Sequence, residues 1–364
     1  MLFRSAATAF KDDYTGHAES NANEDWAELT VPLTKLFLWE SGNGRLYDLQ
    51  LQLVRDGEVL DSLSSYFGMR SVSFDGMRFL LNGKPVFQRL VLDQGFYPDG
   101  VYTAPDDEAL RRDIELSMAM GFNGARLHQK VFEPRFLYWA DRMGYMVWGE
   151  MASWGLDISE IGAANAFLKE WPDVMTRDFS SPAIVGWCPF TETWDYQGRR
   201  QNDDVLRLVY RLSKALDPTR PVIDTSGNYH VETDIYDVHD YEQDPAVFAA
   251  HYGPGSVPIY ERFPDRQCYQ GQTVFVSEYG GIRWSDDISS WGYGEAPKTE
   301  QEFLDRYRRL TDALLDNPDH FGFCYTQLTD VEQEQNGLYT FDRRPKFDPA
   351  LIRAINARKA AMEK

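Results

Sequence analysis

Two glutamates in this 364-residue chain stand where an idle carboxylate is costly. Glu192 ends the apolar run Ile184-Val-Gly-Trp-Cys-Pro-Phe-Thr-Glu192, and Glu278 ends Thr273-Val-Phe-Val-Ser-Glu278. Each run reads as a buried strand that hands over to a loop, with its carboxylate at the carboxyl tip. A charge in such surroundings must be paired or used. Brought together, the two offer acid/base chemistry without a metal. At a separation of about 5 Å one acts as nucleophile and the other as acid, then base, which is the chemistry of retaining glycoside hydrolysis. Two ionised carboxylates at that spacing repel by about 3 kcal/mol at an effective dielectric near 20. That is roughly two pKa units, enough to hold one protonated near neutral pH.

Bringing the two tips together requires a scaffold, and the chain reads as one. From Arg70 onward it repeats strand, loop and helix. Strands are expected at Pro85–Leu92, Asn123–His128, Tyr145–Met151, 184–190, Pro221–Thr225, Ile235–Tyr241, Thr273–Ser277 and Phe321–Leu328. Helices are expected from Pro105 to Gly121, from Glu133 to Gly144, from an Asn202 cap to Asp217-Pro218, from a Thr299-Glu-Gln-Glu302 capping box to Asn317-Pro318, and over Pro349–Lys359. In the helix after Asn202, Val205, Leu208, Val209, Leu212 and Leu216 form the expected buried face. The stretch 159–180 is helical with a break at Pro172, and 243–271 is irregular. Eight strands alternating with crossovers predict an α/β fold, a (β/α)8 TIM barrel. A doubly wound open sheet competes, but no G-x-G-x-x-G follows the first strand and no P-loop is present.

The first 69 residues differ in texture. Tyr47, Leu49, Leu51 and Leu53 alternate with polar residues, Arg55-Asp-Gly-Glu58 is a hairpin turn, and Val59–Phe67 returns. With a further short strand over Trp26–Val31, this predicts a small, incomplete antiparallel β-sandwich over 1–69, followed by a barrel domain over 70–364.

Active sites of such barrels gather at the carboxyl ends of the strands. That rule selects Asp93, His128, Glu150, Glu192, Asp240, Tyr241, Glu278 and the segment from Gln327 to Asp330 as candidates. The structural alternative for the carboxylates is pairing with Arg126 or Arg283. The Trp-rich loops 148–154, 187–194 (with Trp194) and 284–291 (with Trp284) suit stacking on sugar faces or packing beneath the loops.

Composition narrows the partners. Hydrophobic residues make up 43% of the chain and aromatics 14%, enough for a large core. The net charge of −20, from 37 basic against 57 acidic residues, disfavours nucleic acid and anionic membranes and fits a neutral or cationic small ligand. Cys188, Cys268 and Cys324 are too scattered for a disulfide framework or zinc cluster, and the six histidines show no ligand spacing. No metal or other cofactor is expected. No 18-residue apolar run and no signal-peptide core is seen, so a cytoplasmic location is expected.

Six stretches together resemble glycoside hydrolase family 2, the β-galactosidase, β-glucuronidase and β-mannosidase family. They are Phe67-Gly-Met-Arg-Ser71, Leu81-Asn-Gly-Lys-Pro-Val86, Gly121-Phe-Asn-Gly-Ala-Arg126, Trp148-Gly-Glu150, the strand ending in Glu192, and Ser277-Glu-Tyr279. The resemblance covers about 70–364 well and 1–69 loosely. It implies Glu192 as acid/base, Glu278 as nucleophile, and Tyr241 as a hydrogen-bond donor that keeps Glu278 ionised. It also implies His128, Asp93 and Trp284 as sugar contacts and the N-terminal strands as the rear part of an immunoglobulin-like domain.

The sequence departs from the family in three places. Thr191 stands where the family carries Asn to bind the sugar 2-hydroxyl. Arg126-Leu-His128 compresses the spacing after the second strand. The family's N-terminal jelly-roll is missing, so a fragment or a more open site is expected. No Asn-x-Lys of the kind β-glucuronidases use on the sugar carboxylate is present near the barrel mouth. The expectation is a retaining β-glycosidase of a neutral sugar, β-galactosidase-like and possible as a homo-oligomer. The alternative is a carbohydrate-binding protein with a degenerate, inactive barrel.

Overall fold

A computed structural model describes residues 2–9, 15–21, 28–256 and 263–364, the first two segments by their backbone alone. Strands β1 (Leu2–Ala9), β2 (Thr15–Asn21), β3 (Tyr47–Arg55) and β4 (Glu58–Phe67) form one antiparallel sheet in the order β2-β1-β3-β4. The β3–β4 turn places Asp56 and Gly57 at positive φ, 51° and 87°, as a tight two-residue hairpin demands. Among the described residues these strands do not by themselves confirm the expected sandwich. Among the described residues they form one sheet, and Val59, Leu60 and Leu63 of β4 are about half exposed. Alternation along β3 marks a strand but does not supply a second sheet to cover it. The strand expected over 26–31 begins outside the described residues, and 28–31 carries none.

A short antiparallel sheet of β5 (Val72–Asp75), β6 (Arg78–Leu81) and β7 (Lys84–Pro85) leads into the parallel strands. These are β8 (Gln88–Asp93), β9 (Gly124–Leu127), β10 (Met146–Glu150), β11 (Ile184–Cys188), β12 (Phe190–Thr191), β13 (Thr225–Ser226), β14 (Ile235–Asp240), β15 (Thr273–Gly280) and β16 (His320–Thr326). The helices between and after them are α1 (Asp107–Ala119), α2 (Pro134–Met143), α3 (Gly162–Phe167), α4 (Trp171–Asp178), α5 (Asp203–Leu216), α6 (Pro245–Tyr252), α7 (Glu300–Asp316) and α8 (Pro349–Asn356).

Seven strands make one parallel sheet in the order β11-β10-β9-β8-β16-β15-β14. The sheet is curled. Trp148 of β10 stacks on Phe275 of β15 at 6.1 Å, although β9, β8 and β16 lie between their strands in the ladder. The indole requires a glycine beside it: a Cβ on Gly186 would sit 2.4 Å from the Trp148 ring. Segment 221–226 approaches both edges. Trp187 N donates to Pro221 O (3.0 Å) and Ile223 N to Trp187 O (2.9 Å), while Ser226 Oγ meets His239 Nε2 of β14 at 2.9 Å. The result is an α/β protein with a TIM-barrel-like sheet.

The N-terminal sheet is pinned to the barrel through Asp141 at the end of α2. Its Oδ2 accepts from Tyr66 Oη (2.9 Å), and its Oδ1 accepts from Ser181 Oγ (2.6 Å) and Ala183 N (2.9 Å). Burial pushes the Asp141 carboxyl up to about 6 despite these bonds. Several expected elements shift. Pro172 lies in the first turn of α4 rather than breaking a helix, as suits its missing N–H. The fifth strand shortens to β13, and α6 occupies part of 243–271. The buried face of α5 is Val205, Leu206, Val209, Tyr210 and Ser213, whereas Leu208 is 45% exposed. Only half of the α7 capping box forms: Thr299 Oγ1 accepts from Glu302 N, while the Glu302 carboxylate reaches Lys298 N.

Candidate active site

Glu278 lies inside β15, two residues before its end, and not at its tip. Four groups surround its carboxylate. Arg126 Nη1 donates to Oε1 at 2.9 Å, His239 Nε2 is 3.3 Å from Oε1, His128 Nδ1 is 3.7 Å away, and Tyr241 Oη donates to Oε2. Arg126 is fully buried on β9, and its Nε donates to Glu150 Oε1 at 2.7 Å. One guanidinium thus joins the carboxylates that β10 and β15 carry inward. Burial opposes its charge, but Glu150 and Glu278 outweigh it and hold the guanidinium firmly protonated.

Glu192 follows β12 with φ of 50°, an uncommon backbone state for a glutamate. Glu192 N donates to Ser226 O at 2.8 Å, which fixes the turn. Its Oε1 is 2.7 Å from His239 Nδ1. His239 therefore bridges the two glutamates, one ring nitrogen facing each. Burial disfavours charge on this imidazole, but Glu278 and Glu192 raise its pKa. Burial also acts on Glu192, where the His239 hydrogen bond and charge prevail and hold the carboxyl below the usual range. One oxygen of each glutamate and one His239 nitrogen all lie within 4.8 Å of one another. These three residues are also the one group of potential metal ligands found among the described residues. A cation there would compete with Arg126 for Glu278 and with the proton that His239 shares with Glu192.

The other candidates separate into two groups. His128 is buried against Trp154 at 5.2 Å, and burial lowers its pKa, so a neutral imidazole faces Glu278. Tyr241 stacks on Tyr293 at 3.4 Å, and burial, then Glu278, push its hydroxyl up so that it stays a donor. Thr191 is buried, with its hydroxyl donating to Glu150 Oε2 at 3.3 Å. Asp93 ends β8 and accepts from Gly95 N at 2.9 Å, and burial with nearby Asp113 raises it to about 6. Gln327, just past β16, bonds Asn336 Oδ1 at 2.9 Å. Trp194 is 51% exposed and, with Trp154 and Glu192, lines a cavity of about 330 Å³. Trp284 goes elsewhere: its ring packs on Phe303 and Phe347, and the pocket beside it contains neither glutamate. His239 is marked in the sequence only by its spacing to Tyr241, a period of two that puts both side chains on one face of a strand.

Glycosidases are among the known proteins that this chain resembles. The model for Glycosyl hydrolases family 2 matches residues 5–70. A β-galactosidase of Enterobacter cloacae is 30% identical over 232 residues, covering 60% of this chain and 22% of that protein. A β-glucuronidase of Streptococcus agalactiae is 23% identical over 357 residues, covering 86% of this chain and 57% of that protein. These matches support a member of glycoside hydrolase family 2. Among solved structures, the β-glucuronidase of Bifidobacterium dentium complexed with coumarin-3-O-glucuronide matches with a TM-score of 0.79 at 20% identity. That match covers 97% of this chain and 60% of the other. The likeness carries the fold alone: the curled α/β sheet is shared with that structure. The chain spans less than two thirds of the length of the curated relatives it matches, 57% and 22% in the two cases above. Among the described residues, no helix is long and apolar enough to cross a membrane.

Proposed function

We propose that the chain is a retaining β-glycosidase of a neutral sugar, with β-galactosides the leading substrates. Residues 70–364 are the catalytic barrel, in which segment 221–226 completes eight strands, and 1–69 are part of an immunoglobulin-like domain. The observation that carries the reading is the approach of Glu192 and Glu278 to within 4.8 Å, the short separation of a nucleophilic rather than a water-mediated displacement.

Glu278 is the nucleophile. Arg126 and Tyr241 orient its carboxylate for attack on the anomeric carbon, which forms a glycosyl ester. Glu192 is the acid/base. It protonates the departing oxygen and then takes a proton from the water that cleaves the ester. Asp93, His128, Glu150, Thr191, Trp194 and Gln327 form the surroundings of the sugar. Thr191 orients Glu150 in the place where the family's Asn would reach the sugar. The Trp154 and Trp194 cavity beside Glu192 receives the leaving group.

The charge balance at the mouth supports a neutral sugar. Arg126 is committed to Glu150 and Glu278, and Lys346 to Asp330 at 2.6 Å. The related β-glucuronidases and β-galactosidases leave the sugar open, and the commitment of Arg126 to two carboxylates favours the second. A panel of aryl β-glycosides tests the reading. Turnover of a neutral member, reduced at least ~10³-fold by Glu278→Gln with the fold intact, is expected. Binding without turnover of any member would favour the carbohydrate-binding alternative.

A further inference from the structure

Glu334 carries a carboxylate that the two-glutamate reaction leaves unused. It lies in the loop after β16, where Glu334 N donates to Val331 O and Gln335 N to Trp291 O, each at 2.9 Å. Its oxygens accept from side-chain amides: Gln94 Nε2 reaches Oε2 at 3.1 Å and Asn336 Nδ2 reaches Oε1 at 3.2 Å. The same amides close a ring through Gln327. Gln94 Nε2 donates to Gln327 Oε1 (2.8 Å), and Gln327 Nε2 donates to Asn336 Oδ1 (2.9 Å). The carboxylate is thus held by neutral groups, and it forms no ion pair among the described residues. Burial raises its pKa, the amide bonds oppose that, and the charge of Glu278 raises it further. Gln327 of this ring directly follows Thr326, whose Oγ1 is 3.2 Å from Tyr241 Oη, the hydroxyl that donates to Glu278.

The fold assigns this neighbourhood to the sugar. In a retaining displacement the leaving group departs beside the proton donor, here Glu192 after β11 and β12. The glycon ring then lies on the other side of the anomeric carbon. Gln94 and Gln327 follow β8 and β16, three and four strands from β11 in a curled sheet. The Glu334 ring is therefore held by residues that follow strands remote from the one carrying the proton donor. A carboxylate offers about four acceptor positions, and the two amides occupy two. The remainder suit hydroxyl donors.

We infer that Glu334 determines glycon specificity: fixed beside Glu278 by Gln94 and Asn336, it accepts hydrogen bonds from the hydroxyls of a neutral glycon and rejects a glycon bearing a carboxylate. The inference rests on Glu192 and Glu278 being the reacting pair. A like charge in contact with Glu334 costs roughly a hundredfold in kcat/KM at an effective dielectric near 20.

The test compares kcat/KM of the full chain on 4-nitrophenyl β-glucuronide with that on the best of the corresponding galactoside, glucoside and mannoside. Wild type is expected to favour the neutral glycoside by ~100-fold or more, and Glu334→Gln to lower that ratio at least ~10-fold through a gain on the glucuronide. Glu334→Asp, which keeps the charge, is expected to keep most of the discrimination, and thermal melts check each fold. A wild-type preference for the glucuronide overturns the inference whatever the variants do. So does an unchanged ratio in folded Glu334→Gln while turnover persists, and that result leaves the glycosidase reading intact. No turnover of any of the four overturns the reading and the inference together.

Discussion

His239 Nδ1 lies 2.7 Å from Glu192 Oε1, so the proposed proton donor meets a protonatable imidazole before it meets any substrate. The imidazole pKa is raised by Glu278 and Glu192, and the Glu192 pKa is lowered by the imidazole, both against the push of burial. The directions of the two shifts place the proton of the pair on nitrogen in the free protein. A glycosidic oxygen approaching Glu192 draws that proton to the carboxylate.

This sharing fixes the sign of a pH effect. The pair loses its proton as pH rises through the raised folded value of His239, above 6.5, and the acid for leaving-group departure goes with it. In His239→Gln the proton is held by Glu192 alone, whose ordinary value is 4.5. The basic limb of kcat/KM is expected to move to lower pH in that variant. Arg126, His128 and Glu278 face the same imidazole or its partners and stay in place. A basic limb that does not move would contradict the shared proton.

Tyr241 gives a second test. Its hydroxyl donates to Glu278 Oε2 and is kept protonated by burial, so Tyr241→Phe removes one of the two donors that hold the nucleophile. Loss of a preorganised donor costs on the order of 10²-fold in kcat, with KM changed far less. Steady-state kinetics on an activated aryl glycoside measure both. Wild-type kcat in the variant would remove Tyr241 from the reaction.

Stability depends on a different carboxylate. Asp141 accepts from Tyr66, Ser181 and Ala183, joining the N-terminal sheet, α2 and the approach to β11. Asp141→Ala leaves a buried hydroxyl and amide without their acceptor and is expected to cost about 3 kcal/mol. Chemical denaturation measures this directly. A loss below about 1 kcal/mol would show that the junction carries little of the fold.

The parallel strands were legible because each is a continuous apolar run bounded by Gly, Pro or Asp, and burial on both faces leaves that mark. Their count placed Glu192 and Glu278 on one rim. Polar packing left no such mark. Ser213 is buried on α5 because its Oγ accepts from Trp171 Nε1 and donates to Val209 O, which apolar periodicity cannot register, so Leu208 took its place in the expected face. Trp284 read as a sugar platform by composition, but Phe303 and Phe347, the first from α7, claim its ring. Glu334 sits in a polar loop where one more glutamate is unremarked. Only the amides of Gln94 and Asn336, the first some 240 residues away in sequence, set it apart.

The central claim is that Glu278 forms a covalent bond to the sugar. Incubation with an activated 2-deoxy-2-fluoro β-glycoside of the preferred sugar, followed by intact-protein and peptide mass spectrometry, tests it most directly. The account predicts one glycosyl adduct per chain, on the peptide containing Glu278, with activity lost in step. Turnover of the parent glycoside with no adduct, or with the adduct on another residue, would contradict it.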